Sequence, residues 1–484
     1  MAVASVKSKV ISGLKWNTIS VAATRSTDFV VQIILARLLI PDAFGVVGMA
    51  MVIIGFLQVV SDMGLFNALV QKKEDEFTNT RYSSAFWFLL LLASAFILCF
   101  FLFVSPLGAS FYKEPRLLPI LNALSFYLFL NILTIIPRVI LTKHLDFKSL
   151  VQTTILGTAI GSSTAIIMAF LGFGVWSLVV KYIVTASVLF CSYWLRVGWR
   201  PTFVFDKTLL TSLAGYSIYT QVNSILYFFR SHVDYLVIGK LVSAHALGVY
   251  TLAFTLSEVL RAQLYSILNK VFFPVYSKLQ DDLEKIKEYY LKIMRFTAII
   301  TFPISILFIG LAEEIMLVVF GEKWLEAAPP LRILSVASMI FAISGTPAEV
   351  LKGIGKPNVS FTLNLCNTFL VALPLIYFGL KYFGLVGVGY AVCIHYTTSR
   401  LFFHYYMKKY IHITDQDVYR ALRKPVFAAL VMLSIIYALT LLPIPVLAKL
   451  IVAGATGSLA YGLFFIADLK QALAFIKNKK KKTS

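Results

Sequence analysis

Apolar residues along this chain do not alternate. They come in runs of about 20 residues separated by short, charged connections. A helix of that length crosses the roughly 30 Å hydrocarbon layer of a bilayer. Hydrocarbon offers backbone N–H and C=O groups no partner, so runs of this kind must be helical. The alternation over about ten residues that marks a membrane barrel is missing. The pattern predicts an all-α integral membrane protein of about fourteen transmembrane helices. The first two runs are Trp16–Leu39 and Phe44–Val70. The seventh and eighth are Leu209–Phe229, which can run on as far as Ile238, and Leu247–Val271. The twelfth is Val386–Met407, and the last two are Val426–Leu442 and Val446–Ile466. Leu279, Leu283, Ile286, Tyr290 and Ile293 recur at alternating four and three residues, with charges on the other face. That stretch reads either as an amphipathic helix on the membrane surface or as an extension of a neighbouring span.

Composition narrows the picture. Hydrophobic residues make up 59% and charged residues 14%, against about 25% charged in soluble domains. A disordered chain and a soluble globular one are both excluded. The net charge is +21, but the basic residues lie between the apolar runs, so they read as topology signals and not as a nucleic-acid surface. Lys and Arg crowd alternate loops and both ends. The opposite loops carry few, chiefly Lys113, Arg116, Lys323, Lys381 and Lys449. The positive-inside rule then places both termini in the cytoplasm. The basic tail Lys477–Lys482 is an anchor of that topology, with binding to anionic lipid as a secondary role. No cleavable signal peptide is expected: the first run is too long and carries Arg25 and Asp28. Cys99, Cys191, Cys366 and Cys393 sit inside apolar runs without metal-like spacing, which predicts small buried packing residues.

One segment occurs twice. Ala36–Val46 aligns with Gly239–Val249 at an offset of 203, with Leu38/Leu241, Ala43/Ala246, Gly45/Gly248 and Val46/Val249 identical and Arg37/Lys240 both basic. Gly174-Val175 and Gly387-Val388 echo each other at a near-equal offset. Each pair occupies the same place in a set of six helices. Six is even, so the copies start on the same side of the membrane and the repeat is parallel. The expected organisation is a six-helix bundle over 1–205, a second over 206–412, and two additional helices with a basic tail over 413–484. Two such bundles can rock about a site between them.

Charge within a span costs at least about 2.5–3.5 kcal/mol on insertion scales and therefore points to function. Candidate cavity residues are Arg25 and Asp28 in the first span, Asp62 in the second, Arg230 and Asp234 at the end of the seventh, Glu258 and Arg261 in the eighth, and Arg400 in the twelfth. Arg37 and Lys240 lie nearer span ends, where snorkelling is the plainer explanation. Neighbouring opposite charges could instead neutralise each other and lock helix packing. Taken together, the set implies a polar cavity of only mildly cationic balance. Catalytic signatures are lacking: the six histidines are scattered, no phosphate-binding glycine loop occurs, and no carboxylate cluster occupies a loop. Neither a catalytic site, a metal site nor a cofactor is expected, and ATP is not expected to drive the protein directly.

Lys15-Trp16, the stretch Arg37–Gly48, Asp62-Met63-Gly64-Leu65 with Ala68–Gln71, and Asp234–Gly239 with Leu247–Tyr250 resemble the opening and repeat motifs of Wzx-type oligosaccharide repeat-unit flippases. These form the polysaccharide transporter branch of the multidrug/oligosaccharidyl-lipid/polysaccharide exporter superfamily. The resemblance implies a bacterial inner-membrane protein and not an enzyme. Such a protein moves an undecaprenyl-pyrophosphate-linked oligosaccharide from the cytoplasmic to the periplasmic leaflet, for O-antigen, capsule or exopolysaccharide synthesis. It also implies membrane lipids, a polysaccharide polymerase and a chain-length regulator as partners, with proton or sodium coupling. By position, Arg25 would engage the pyrophosphate, with Arg230 and Arg261 beside it, and Asp28 would hold Arg25 when the site is empty. The rival readings are a lipid II flippase or a cation-coupled drug extruder of the same superfamily and, from another class, a membrane polysaccharide polymerase or ligase.

Overall fold

The structure is a computed structural model that describes residues 16, 23–62, 66, 69–70, 79–204, 224–225, 228–229, 232–344 and 346–467. Among these the only regular structure is helical, and ten stretches are long and apolar enough to cross a membrane. They group into two compact units, Met1–Gly248 and Val249–Ser484.

In the first unit, α1 (residues 23–38) leads through Ile40 into α2 (Pro41–Asp62). Pro41 opens α2, where its missing N–H costs nothing, and Asp42 places a negative charge at the positive end of the helix dipole. α3 (Asn79–Tyr112) is 34 residues long. It widens into a π turn at Phe100–Val104 just before Pro106, whose ring cannot fit the regular ladder. α4 (Leu117–Lys143) is the central element, with 72% of its apolar window buried. Leu121, Leu124, Leu128 and Ile136 line its core faces. α5 (Phe147–Phe170) starts at Asp146, whose carboxylate accepts from the Ser149 N–H at 3.1 Å.

α5 packs on α6 (Val175–Val197) through two small residues four apart. A Cβ at Gly161 would lie 2.1 Å from Thr185 Oγ1 and 2.8 Å from the Lys181 carbonyl, and one at Gly157 would lie 3.2 Å from Leu189. Between helices in lipid, attraction comes from close van der Waals approach, which glycines permit. Thr185 also donates to the Lys181 carbonyl at 2.7 Å, so this contact sets the part of α6 that carries Lys181. The unit continues with α7 (residues 232–241) and the first turn of α8 (Ala244–Lys278).

The second unit takes the remainder of α8, then α9 (Leu283–Gly310), α10 (Ala328–Ile343) and the short α11 (Pro347–Gly353). Residues 357–411 form one long helical stretch that Gly384, at φ 60°, breaks into α12 (357–383) and α13 (385–411). α14 (Asp415–Thr440) begins in a reciprocal Thr414–Asp417 cap, and α15 (Val446–Phe464) follows. The segment around 283–293 is the start of α9 and not a separate surface helix. Asp282 caps it, and Ile286, Tyr290 and Ile293 are buried in the core of this unit. The cysteines differ from expectation: Cys99, Cys191 and Cys366 are exposed and Cys393 is half-buried.

Gly161→Val should lower the melting temperature of the purified protein, by the about 1–3 kcal/mol of an overpacked contact. Gly462→Ala, into open space on α15, should leave it in place. Equal melting temperatures for Gly161→Val and wild type would show that α5 and α6 do not meet here.

Candidate functional site

α1 carries two of the expected charges. Arg25 is exposed and Asp28 half-exposed, three residues apart on a helix whose other residues are mostly apolar. Asp28 does not hold Arg25. Its Oδ1 accepts from Lys181 Nζ of α6 at 3.1 Å, with the lysine 19% and the carboxylate 42% exposed. The partner comes from 153 residues away, and the aromatic ring of Tyr182 beside Lys181 packs edge-on against Tyr127 of α4 at 5.8 Å. Lys181, inside an apolar run, is not among the residues that the sequence singles out. Its spacing to Asp28 carries no local signal. Among the described residues the carboxylate of α1 is thus engaged by α6, and the exposed Arg25 lies three residues before it.

The duplicated segment shows a different geometry. Both copies, up to Gly248, belong to the first unit, and their helix starts pack on one another reciprocally. A Cβ at Gly45 would lie 1.6 Å from the Ala244 carbonyl oxygen, and one at Gly248 would lie 1.9 Å from the Pro41 carbonyl oxygen. Pro41 and Ala244 are themselves counterparts in the repeat. So are Asp42 and His245, which meet at 3.0 Å, 203 residues apart in sequence. Arg116 approaches Asp42 at 3.8 Å and makes a bidentate pair with Glu114 at 2.7 and 2.8 Å. Hydrogen bonding from that guanidinium holds the Glu114 carboxyl below the usual carboxylate range. Lys240 donates to the Phe111 carbonyl and lies 4.3 Å over the Phe111 ring. Lys240 is thus engaged at the end of its helix and not aimed into an interior. Arg37, its counterpart, is exposed near the end of α1.

The other candidates are dispersed. Asp234 is buried on α7 and accepts from the Tyr235 N–H at 3.0 Å. Asp62 ends α2 and Arg261 lies on α8, their side chains outside the described residues, and Arg230 is itself outside them. Glu258 is half-buried on α8. In the second unit Arg400 of α13 approaches the Tyr290 hydroxyl at 3.5 Å, while that hydroxyl donates to the Ser344 carbonyl at 2.7 Å. Close by in sequence is a polar knot that the sequence reading did not single out. Asn367 opens a π turn (Asn367–Ala372), accepts from Thr398 at 3.0 Å and lies 3.0 Å from His395 Nδ1. Among the described residues no three His, Cys, Asp or Glu side chains gather as a metal site would require.

Residues 34–329 match the profile of a family described as polysaccharide biosynthesis protein. The lipopolysaccharide biosynthesis protein WzxC of Escherichia coli (strain K12) is 26% identical over 79% of this chain and 78% of its own. The succinoglycan biosynthesis transport protein ExoT of Rhizobium meliloti (strain 1021) is 27% identical, over 74% and 72%. Among solved structures, the lipid II flippase MurJ in an inward closed conformation superimposes with a TM-score of 0.73 at 17% identity, covering 96% of this chain and 100% of that one. At that identity the likeness establishes the fold.

Lys181→Met strands Asp28 in a span. With both groups partly solvated, the expected loss is about 1–2 kcal/mol, less than for a fully buried pair. Adding Asp28→Asn should recover most of it. Thermal melts of the two single variants and the double variant in detergent check this, and strictly additive losses would mean that the pair does not form.

Proposed function

From the premise that the chain belongs to the polysaccharide biosynthesis family, a family of membrane transporters and not of enzymes, we propose that it flips an undecaprenyl-pyrophosphate-linked oligosaccharide from the cytoplasmic to the periplasmic leaflet of a bacterial inner membrane. The product feeds O-antigen, capsule or exopolysaccharide synthesis. The observation that carries the reading is Arg25, exposed in the polar first turns of α1 (Thr24, Ser26, Thr27) ahead of a mainly apolar run, three residues from the Asp28 that pairs with Lys181. Against acyl chains an exposed guanidinium would cost at least about 2.5–3.5 kcal/mol, so it belongs to a wet space. A pyrophosphate is the ligand chemistry that an exposed guanidinium serves, through charge-assisted hydrogen bonds.

The architecture in this reading is fourteen spans: two parallel six-helix repeats and two further helices, with both termini cytoplasmic. The first six-helix bundle covers 1–205 and the second 206–412. Alternating access exposes the site to one side and then the other, while the polyprenyl tail stays in lipid. The reciprocal Gly45–Gly248 crossing with the Asp42–His245 pair is then the closure on the periplasmic side, which parts when the site opens outward. Carrying a negative charge outward against a negative interior gains about 2.3 kcal/mol per charge per 100 mV. A proton or sodium gradient adds to this through Asp28, Asp62, Asp234 or Glu258. The likeness to MurJ over nearly the whole chain favours one second reading, a lipid II flippase.

Deletion should leave lipid-linked repeat units in the inner leaflet, with polymer lost from the surface. Arg25→Ala should reproduce this with normal amounts of protein. Undiminished polymer export by Arg25→Ala would remove the arginine from the mechanism. Accumulation of lipid II with arrest of growth would replace the cargo.

A further inference from the structure

α14 and α15 lie beyond residues 34–329 and so outside the part of the chain that defines the family. α14 divides sharply into two faces. Leu422, Pro425, Ala428, Ala429, Met432 and Ile436 are buried within the second unit. The opposite side begins with Tyr419, Arg420, Arg423 and Lys424, then turns wholly different in character. Phe427, Leu430 and Tyr437 are 59%, 57% and 65% exposed, in one row with Arg423 at helical spacing. Tyr419, Arg423, Lys424 and Phe427 surround a shallow, open concavity of about 380 Å³. The end of α15 closes its flank: Phe464 meets the Phe427 ring at 5.7 Å, and Phe465 lies 5.2 Å under the Lys424 ammonium.

Arg420 and Arg423 carry the cationic excess here. Of the acidic groups on the same turn, Asp415 is taken by Lys408 and His404, and Asp417 by Lys287 and Thr414. Among the described residues, neither Arg420 nor Arg423 has a carboxylate within ion-pair distance. The chain that follows α15 adds one carboxylate, Asp468, against Lys470 and the lysine-rich tail, all of them outside the described residues.

We propose that this concavity is a seat for one anionic phospholipid, with its phosphate on Arg423 and Lys424, its glycerol region against Tyr419 and an acyl chain along Phe427, Leu430 and Tyr437. The length fits: Phe427 to Tyr437 covers about 15 Å of helix at 1.5 Å per residue, half of a roughly 30 Å hydrocarbon core. A soluble phosphate would use the cations but not the apolar row, and a neutral lipid would use the row but not the cations. The amphiphile with a negative head matches both. The leaflet is that of the α13–α14 connection, cytoplasmic in the orientation proposed above. The site itself does not depend on what the protein transports.

The test is a thermal-shift titration of the purified full-length protein in neutral detergent with dioleoyl phosphatidylglycerol, dioleoyl phosphatidylcholine or inorganic phosphate. Phosphatidylglycerol should raise the melting temperature saturably, and the other two should not. Each cation near a membrane surface is worth about a five-fold change in binding of an anionic lipid, so R423Q/K424Q should weaken the phosphatidylglycerol midpoint roughly thirty-fold. Equal stabilisation by phosphatidylcholine, stabilisation by phosphate alone, or an unchanged midpoint in R423Q/K424Q would each overturn the proposal. Photo-crosslinking of the wild-type chain keeps the test independent of that variant's folding. Phosphatidylglycerol with a reactive group high in its acyl chain should label the segment around Phe427, and labelling confined to other helices would also refute the seat.

Discussion

The constraint on which everything else rests is the absence of water in hydrocarbon. It makes every spanning segment a helix, because no other local structure satisfies its own backbone groups. It also gives each ionic side chain in a span only three refuges: a partner of opposite sign, a wet space, or the interface at a helix end. The charges of this protein sort among those refuges. Lys181 and Asp28 take the first. Arg25, exposed on α1, is assigned to the second by the function proposed above. Lys240, donating to a carbonyl at the end of α7, belongs to the third.

The same constraint explains the use of small residues. In lipid, apolar side chains gain nothing by leaving acyl chains for one another, so helices associate where their backbones come close. Gly157 and Gly161 bring α5 against α6 and so fix Lys181 opposite α1. Gly45 and Gly248 let two copies of one motif cross with carbonyl oxygens where any Cβ would stand. Duplication supplies this second contact almost without further design: a surface that fits its own copy brings equivalent residues together, and Asp42 facing His245 follows from that reciprocity. The pair differs from the rest of the motif in that its two members have diverged to opposite chemistry.

α14 shows how one helix serves two solvents. Its core face is small and apolar, built from alanines, a methionine and an isoleucine, while its outer face passes from the cationic Arg420 and Arg423 to the uncharged Phe427, Leu430 and Tyr437 along the axis. The gradient follows the polarity profile of a leaflet. The acidic residues that could have neutralised it are instead occupied in capping α14 and in tying it to Lys287 and Lys408.

The helical membrane class followed from run length alone, because a bilayer converts apolar length into structure without reference to any other part of the chain. The duplicated motif was also legible in the letters, since identity at Gly45/Gly248 and Ala43/Ala246 needs no coordinates. What the letters could not assign was partners. Asp28 was expected to hold Arg25 because three residues on a helix is the nearest charge a sequence can see. The structure gives it Lys181 instead, 153 residues away, on the stretch of α6 that the glycines of α5 contact. Arg400 likewise meets Tyr290, 110 residues off. The segment at 283–293 could be surface or span on its periodicity, and its burial in the second unit decided that it was span. Periodicity and hydropathy are properties of one helix and are written in its own residues. Which faces of two helices meet depends on the packing of all of them, and only the folded molecule carries that information.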